Sequence, residues 1–127
     1  MKTARLLLTL LPMLVAMPQP LSAIEIRAPC LAKGGELMAA RQSNATLCNR
    51  FLRTLRTNWP AGKPWPDQLQ TDIRIGKRDT ASVTVRVMRN RRLVTLAPIE
   101  TMVSDRRLDL RDIDRLARAT ALTLSAR

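Results

Sequence analysis

Alternating apolar and polar positions mark residues 72–96 as a set of short β-strands. Two segments, 73–75 and 83–87, carry the period-two pattern, and 93–96 follows as a third short strand. The polar segments between them, 76–80 and 89–92, are typical of tight turns, so the stretch predicts a three-stranded antiparallel meander. One face of this meander is Ile, Val and Leu, and the other carries Arg74, Thr84 and Arg86.

A sheet that is apolar on one face needs a covering layer, and helical periodicity predicts two helices for it. The first spans 36–58 with an interruption near Ser43-Asn44, and its second half carries the stronger apolar stripe. The second spans 110–126, with Asp109 as N-cap and an i, i+4 pair of Asp114 with Arg118. The chain is therefore predicted to be an α+β protein.

Three further segments complete the predicted organisation. Residues 24–27 alternate like a short strand that adds to an edge of the sheet. Residues 59–67 contain three prolines and a glycine, which exclude a helix and indicate a connection. Residues 100–107 are predicted to be a polar link between the meander and the last helix. No second domain or internal repeat is visible, so 24–127 is predicted to form a single domain.

The first 23 residues have the pattern of a secretory signal peptide. Lys2 and Arg5 form a charged start, residues 6–17 are apolar, and small residues end the segment at Ala23. The apolar run is too short for a spanning helix. The pattern predicts export, with the mature protein in the periplasm, and an uncleaved membrane anchor is the alternative.

Cys30 and Cys48 are the two cysteines of the chain. In an exported protein the oxidising compartment favours a disulfide between them, and two buried free thiols are the alternative. Two cysteines without a CxxC spacing do not indicate a redox centre. They also make a poor zinc site in a chain without histidine.

Charge is the strongest compositional signal, with 22 basic against 10 acidic residues and a net charge of +12. Removal of Lys2 and Arg5 with the leader leaves the domain strongly basic. Such a surface predicts an acidic partner: nucleic acid, anionic lipid or an acidic protein. Export argues against nucleic acid, and so do the few aromatic residues available for base stacking.

Catalytic patterns are absent from the sequence. There is no histidine, so Ser-His and Cys-His machinery is excluded. Asp109, Asp112 and Asp114 cluster, but at the start of a helix, where aspartate stabilises the dipole. No glycine-rich phosphate loop occurs. We therefore expect neither enzyme activity nor a metal or cofactor.

What remains is a binding surface on the outer face and turns of the meander, extended by the first helix. The predicted binding residues are Arg53, Arg74, Lys77, Arg78, Arg86, Arg89, Arg91 and Arg92. The alternative is that these charges only solvate the sheet and protect its edges. Trp59 and Trp65 could anchor a partner, or fold back over the open end of the sheet.

Taken together, these residues resemble the E-type curli accessory factors, the CsgE family. The residues that carry the likeness are Ile24-Glu25-Ile26 leading to Pro29 and Leu31, Phe51-Leu52-Arg53 followed by Trp59, Ile73-Arg74-Ile75 with Arg78, Val83-Thr84-Val85, and Thr95-Leu96 before Pro98. The likeness spans most of the domain. The cysteine pair, the proline-rich connection and the scarcity of aromatic residues depart from the family pattern.

The resemblance implies a small α+β protein that binds the periplasmic side of the outer-membrane curli channel as an oligomeric ring. It implies acidic, unfolded curlin-type subunits as clients, which the protein would deliver to that channel and keep from aggregating. A basic carrier suits an acidic client. The alternative function is a cationic envelope protein that docks on anionic lipid or lipopolysaccharide.

Overall fold

The computed structural model describes residues 29–126. The predicted leader and the predicted strand at 24–27 therefore lie outside the described residues. Within them the chain forms five strands, two α-helices and one 3₁₀ turn. In chain order these are β1 (Cys30–Lys33), the 3₁₀ turn (Gly35–Leu37), α1 (Asn44–Thr57), β2 (Leu69–Ile75), β3 (Thr80–Arg89), β4 (Arg92–Thr95), β5 (Ile99–Met102) and α2 (Leu110–Ser125).

The predicted meander is present as β2, β3 and β4, and the α+β class is confirmed. Two further strands make the sheet mixed rather than wholly antiparallel. β1 pairs in parallel with β2, with Cys30 opposite Thr71. β5 pairs antiparallel with β3, with Ile99 opposite Val83. Residues 100–107 were predicted to be a polar link. This is wrong for residues 100–102, because they pair with β3 as part of β5.

β4 and β5 form a single interrupted edge along β3. Thr95 lies opposite Arg86 and Ile99 opposite Val83, so residues 96–98 face only two residues of β3. This extra residue is a β-bulge, and it contains Pro98, which lacks a backbone donor. The extra residue shifts the alternation of inward and outward side chains by one position, so Leu96 and Ile99 both face the core. The bulge and the proline also make this edge a poor template for another strand.

Both helices pack on the same face of the sheet. Leu47, Phe51 and Leu55 of α1 are buried, and β2 and β3 bury alternate residues beneath the helices. The core is aliphatic apart from Phe51 and the edges of two tryptophans. Closing one face in this way leaves the opposite face without a covering helix among residues 29–126.

The first helix begins later than predicted. α1 starts after Ser43, whose hydroxyl accepts a hydrogen bond from the Thr46 N–H at 3.0 Å. Before it, Gly34 adopts a φ of 92°, and a Cβ there would lie 2.4 Å from the Ile75 carbonyl oxygen. Only glycine fits both requirements. The chain therefore turns sharply after β1, and residues 38–43 lead to α1 without helix.

The second helix matches its prediction closely. Asp109 is the N-cap, and Asp112 completes a capping box by accepting from the Asp109 N–H at 2.8 Å. The ion pair predicted between Asp114 and Arg118 does not form. Asp114 instead accepts hydrogen bonds from Arg50 at 2.7 Å and Thr54 at 2.9 Å. Arg118 acts on Asp114 only at longer range. An inter-helix ion pair thus replaces the predicted pair within α2.

Within residues 29–126, no helix has both the length and the hydropathy needed to cross a bilayer.

Candidate binding surface

The disulfide fixes one edge of the sheet to the helical layer. Cys30 of β1 and Cys48 of α1 are bonded, with their Cα atoms 5.7 Å apart. The predicted pairing is therefore confirmed. Thr71 supports the same junction, since its N–H and hydroxyl both donate to the Pro29 carbonyl. The four-residue strand β1 is thus held by a covalent bond on one side and by β2 on the other.

The sheet face opposite the helices is the outer face, and no helix within residues 29–126 covers it. It carries alternate residues of all five strands, as their register shows. The charged members are Lys33, Asp72, Arg74, Arg86 and Glu100, and the apolar members include Leu31, Met88, Leu93 and Met102. Polar uncharged residues, among them Thr84, lie between them.

The basic side chains of the outer face are exposed, and their contacts with other side chains are long. Arg74 lies 3.4 Å from Asp72, and the Arg86 guanidinium donates to the Gln70 side-chain oxygen at 3.2 Å. Lys33 stands directly opposite Arg74 in the parallel register, so two like charges are neighbours. Exposed ion pairs of this kind contribute little to folding, which leaves these side chains available to a partner.

Apolar side chains are exposed on the same face. Met102 is 69% exposed, Leu31 is 47% exposed and Leu93 is 37% exposed. They come from β5, β1 and β4, so they are spread over the whole width of the sheet. A mixture of basic and apolar side chains on a sheet face can contact both the charges and the apolar groups of an extended polypeptide.

The predicted binding residues are all exposed, but the structure does not gather them into one patch. Arg74 and Arg86 lie on the outer face, as predicted. Lys77 and Arg78 lie in the turn between β2 and β3. Arg89, Arg91 and Arg92 lie in the β3–β4 hairpin at the opposite end of β3. Since β3 has ten residues, the two turns are roughly 30 Å apart. Arg53 lies on α1, on the helical side of the molecule.

The tryptophans pack at one end of the core. Their rings meet edge to face with centroids 5.1 Å apart, and both are half-buried against the core. Trp59 Nε1 donates to the Lys63 carbonyl, and the Arg56 guanidinium lies 4.8 Å from the centre of the Trp65 ring. This packing agrees with the expectation that the two tryptophans fold back over the end of the sheet. Their role as partner anchors stays a prediction.

A cleft of about 390 Å³ opens beside Trp65. Leu52, Leu69 and two prolines form its apolar wall, and Arg56 and Asp67 stand at its polar side. The Gln68 Oε1 atom is buried there without a hydrogen-bond partner among the described residues. Pro29, which precedes β1, is one of these two prolines.

At the start of α2, Asp109 and Asp112 of the predicted aspartate cluster accept hydrogen bonds from arginine side chains. Asp112 is fully buried and receives two hydrogen bonds of 2.8 Å from Arg106. These bonds lower the pKa of Asp112, and hydrogen bonds from Arg111 lower that of Asp109 to about 2. Among residues 29–126 no three Cys, Asp or Glu side chains are grouped as metal ligands would be. The cluster is explained by the geometry of the helix terminus.

Sequence reasoning missed the outer-face residues contributed by β1 and β5. These are Leu31, Lys33, Glu100 and Met102. Neither Cys30–Lys33 nor Ile99–Met102 alternates regularly between apolar and polar residues, and four residues are too few to separate a strand from a loop. Asp72 was also overlooked, and it places a negative charge within the predicted basic face.

Comparisons with protein-family models, with curated protein sequences and with solved structures return no match to this chain.

Proposed function

We propose that this protein is a non-catalytic carrier of the bacterial envelope that holds an acidic, extended polypeptide on the outer face of its sheet. In this proposal the carrier delivers that client to an outer-membrane secretion channel and restrains its aggregation. The proposed clients are curlin-type subunits, and the proposed location is the periplasm. The resemblance to E-type curli accessory factors supports these specific assignments, including a homo-oligomer.

The observation that carries the proposal is the outer face itself. One face of the sheet is closed by two helices, while the other presents exposed Arg74 and Arg86 beside exposed Leu31 and Met102. Exposed apolar side chains on a folded domain are typical of surfaces that meet a partner. The neighbouring basic groups favour a partner of negative charge.

The geometry favours an extended client over a compact one. Arg74 pairs with Ser82, and Arg86 pairs with Gln70, so the two arginines are four residues apart along the strands. This corresponds to about 13 Å. The same spacing separates residues i and i+4 of an extended chain, whose side chains point to the same side. An extended acidic segment can therefore meet both arginines with carboxylates on one of its faces.

Replacing Arg74 and Arg86 together with glutamine tests this assignment. We expect the variant to bind an acidic amyloid-type subunit at least tenfold more weakly, because both paired charges are lost. It should correspondingly lose most of the delay in fibril formation that the wild type imposes. The matched control is Arg41→Gln/Arg118→Gln, which removes the same charge from exposed positions away from the outer face. Circular dichroism would verify that both variants fold.

The wild-type effect should also weaken between low and physiological salt, because exposed charges are screened over about a Debye length. If the Arg74/Arg86 variant delays assembly as well as the wild type, the outer face is not the client site. If the wild type itself causes no delay at low salt, the carrier function is wrong.

A further inference from the structure

The β3–β4 hairpin ends in a turn that its sequence does not favour. Arg89 and Arg92 form the last strand pair, so the loop has two residues, Asn90 and Arg91. Their φ angles are 50° and 65°. Positive values at both positions are typical of a type I′ turn, whose second position strongly prefers glycine. Arginine at that position is disfavoured by its Cβ, and such outliers concentrate at functional sites.

The same turn concentrates unpaired positive charge. Arg89 stands directly opposite Arg92, and like charges in that relation destabilise a strand pair. Arg91 lies between them in the chain, and all three are exposed. Among residues 29–126 no carboxylate forms an ion pair with any of them. Since no described carboxylate engages these three arginines, their charge is available to a ligand outside the chain.

An apolar pair lies one step behind these charges. Met88 is opposite Leu93, and their side chains lie on the outer face, whereas Arg89 and Arg92 lie on the other side of the ribbon. Leu93 is exposed. The β3–β4 hairpin extends beyond the end of β2, because Leu69, the first residue of β2, pairs with Val87. An end-on approach to a flat surface thus brings both the basic and the apolar pair to that surface.

Another basic residue and a tryptophan lie at the hairpin end of the molecule. Lys63, in the proline-rich connection, lines a small cavity with Met88 and Arg89, so its charge lies at the same end. Trp59 lines this cavity too. Basic residues beside aliphatic and tryptophan side chains are typical of proteins that sit at a membrane interface.

We propose that the β3–β4 hairpin, residues 89–92 with Met88 and Leu93, attaches the protein to an anionic lipid surface. The arginines bind lipid phosphate groups, for which the guanidinium fork is well shaped, and the apolar pair contacts the acyl–headgroup boundary. The arginines of this site are distinct from Arg74 and Arg86 of the proposed client surface, whereas Met88 and Leu93 lie at the hairpin end of the same outer face. The proposal does not depend on the client function.

The test measures binding of the full folded domain to vesicles of phosphatidylethanolamine with one quarter phosphatidylglycerol, by co-sedimentation and without any client. Arg89→Thr/Arg92→Thr should lower the partition coefficient about 25-fold, and Arg91→Gly about fivefold, since each basic residue near an anionic surface contributes about fivefold. Arg41→Gln/Arg118→Gln is the matched control and should bind within twofold of the wild type. Vesicles of phosphatidylcholine alone should bind the wild type weakly.

A second readout separates binding from folding. Threonine pairs well across strands and glycine suits the positive φ, so the hairpin variants should unfold at a urea midpoint equal to or above that of the wild type. Loss of vesicle binding with retained stability supports the proposal. Unchanged vesicle binding by both hairpin variants would overturn it, as would an equal loss in the Arg41/Arg118 control. If the Arg89/Arg92 variant loses binding to soluble polyglutamate while vesicle binding stays intact, the hairpin contacts acidic protein instead.

Discussion

At the scale of single residues, Asp112 holds the junction between β5 and α2. Its carboxylate is completely buried, yet it accepts hydrogen bonds from Arg106 and from the Asp109 backbone N–H. Burial of a carboxylate is unfavourable unless it is paired and hydrogen-bonded in this way. The sequence identified the N-cap aspartate, because capping depends on local spacing. The contact of Arg106 with Asp112 could not be predicted from the sequence, because it depends on the path of the loop before α2.

Asp112→Asn should lower the free energy of unfolding at pH 7 by about 2–3 kcal/mol, because it removes a charged acceptor from a partly exposed arginine. The folded-state pKa values of Asp112, Asp109 and Asp114 lie below the ordinary 3.8. Their stabilisation is therefore complete above about pH 5 and is lost as the pH falls through 3.8 toward 2. Urea unfolding at pH 7, 5 and 3 should show a smaller acid loss in the variant than in the wild type.

Glu36→Gln, at an exposed position, is the control for this experiment and should follow the wild-type curve. Parallel pH profiles for the wild type and the Asp112 variant would contradict the assigned role.

At the scale of elements, β1 depends on the disulfide for its place in the sheet. It has four residues and, within residues 29–126, one neighbouring strand, so its own hydrogen bonds give it little independent stability. The Cys30–Cys48 bond closes a loop with a sequence separation of 18. In the chain-entropy model a loop of this length is worth about 3 kcal/mol.

Cys30→Ala/Cys48→Ala should accordingly lower the free energy of unfolding by about 2–4 kcal/mol. A reducing agent should destabilise the wild type by a similar amount and leave the double variant unchanged. Free-thiol titration of the denatured, unreduced wild type should detect no reactive thiol. Two thiols per chain would show that the bond does not form in the isolated protein.

Helix α2 is the other element whose role can be measured directly. Ile113, Leu116, Ala117 and Leu124 form one apolar face of α2, and all four are buried. Leu116 is 1% exposed, so Leu116→Ala should cost about 2–5 kcal/mol through lost burial and a residual cavity. Leu122, on the same helix, is 71% exposed. Leu122→Ala should therefore change the free energy of unfolding by less than about 0.5 kcal/mol. Equal shifts would mean that α2 does not pack as described.

At the scale of the whole molecule, the layer arrangement separates the proposed binding sites. Both helices cover one face of the sheet, so client contacts are assigned to the open face around Arg74 and Arg86. The length of β3 carries the hairpin arginines to one end and Lys77 and Arg78 to the other. A carrier attached to lipid through the hairpin would keep the part of its outer face around Arg74 and Arg86 accessible. The two sites can therefore be tested independently of each other.

Local order along the chain was enough to predict the meander, the C-terminal helix and its cap. Each depends on a short-range cause: period-two alternation in β2 and β3, 3.6-residue periodicity in α2, and a capping side chain three residues from its partner. The disulfide was predictable too, because the chain offers only one pairing. These features require no knowledge of which elements meet.

Tertiary structure alone decided the rest. Four residues of β1 and four of β5 become strands because a neighbouring strand supplies hydrogen-bond partners. Asp114 pairs with Arg50 because α1 and α2 lie side by side, an arrangement that within-helix spacing cannot reveal. The predicted basic residues of the sheet divide between its outer face and its two ends because β3 has ten residues between its turns. Contacts between segments distant in the chain depend on packing, and packing is fixed only when the whole core closes.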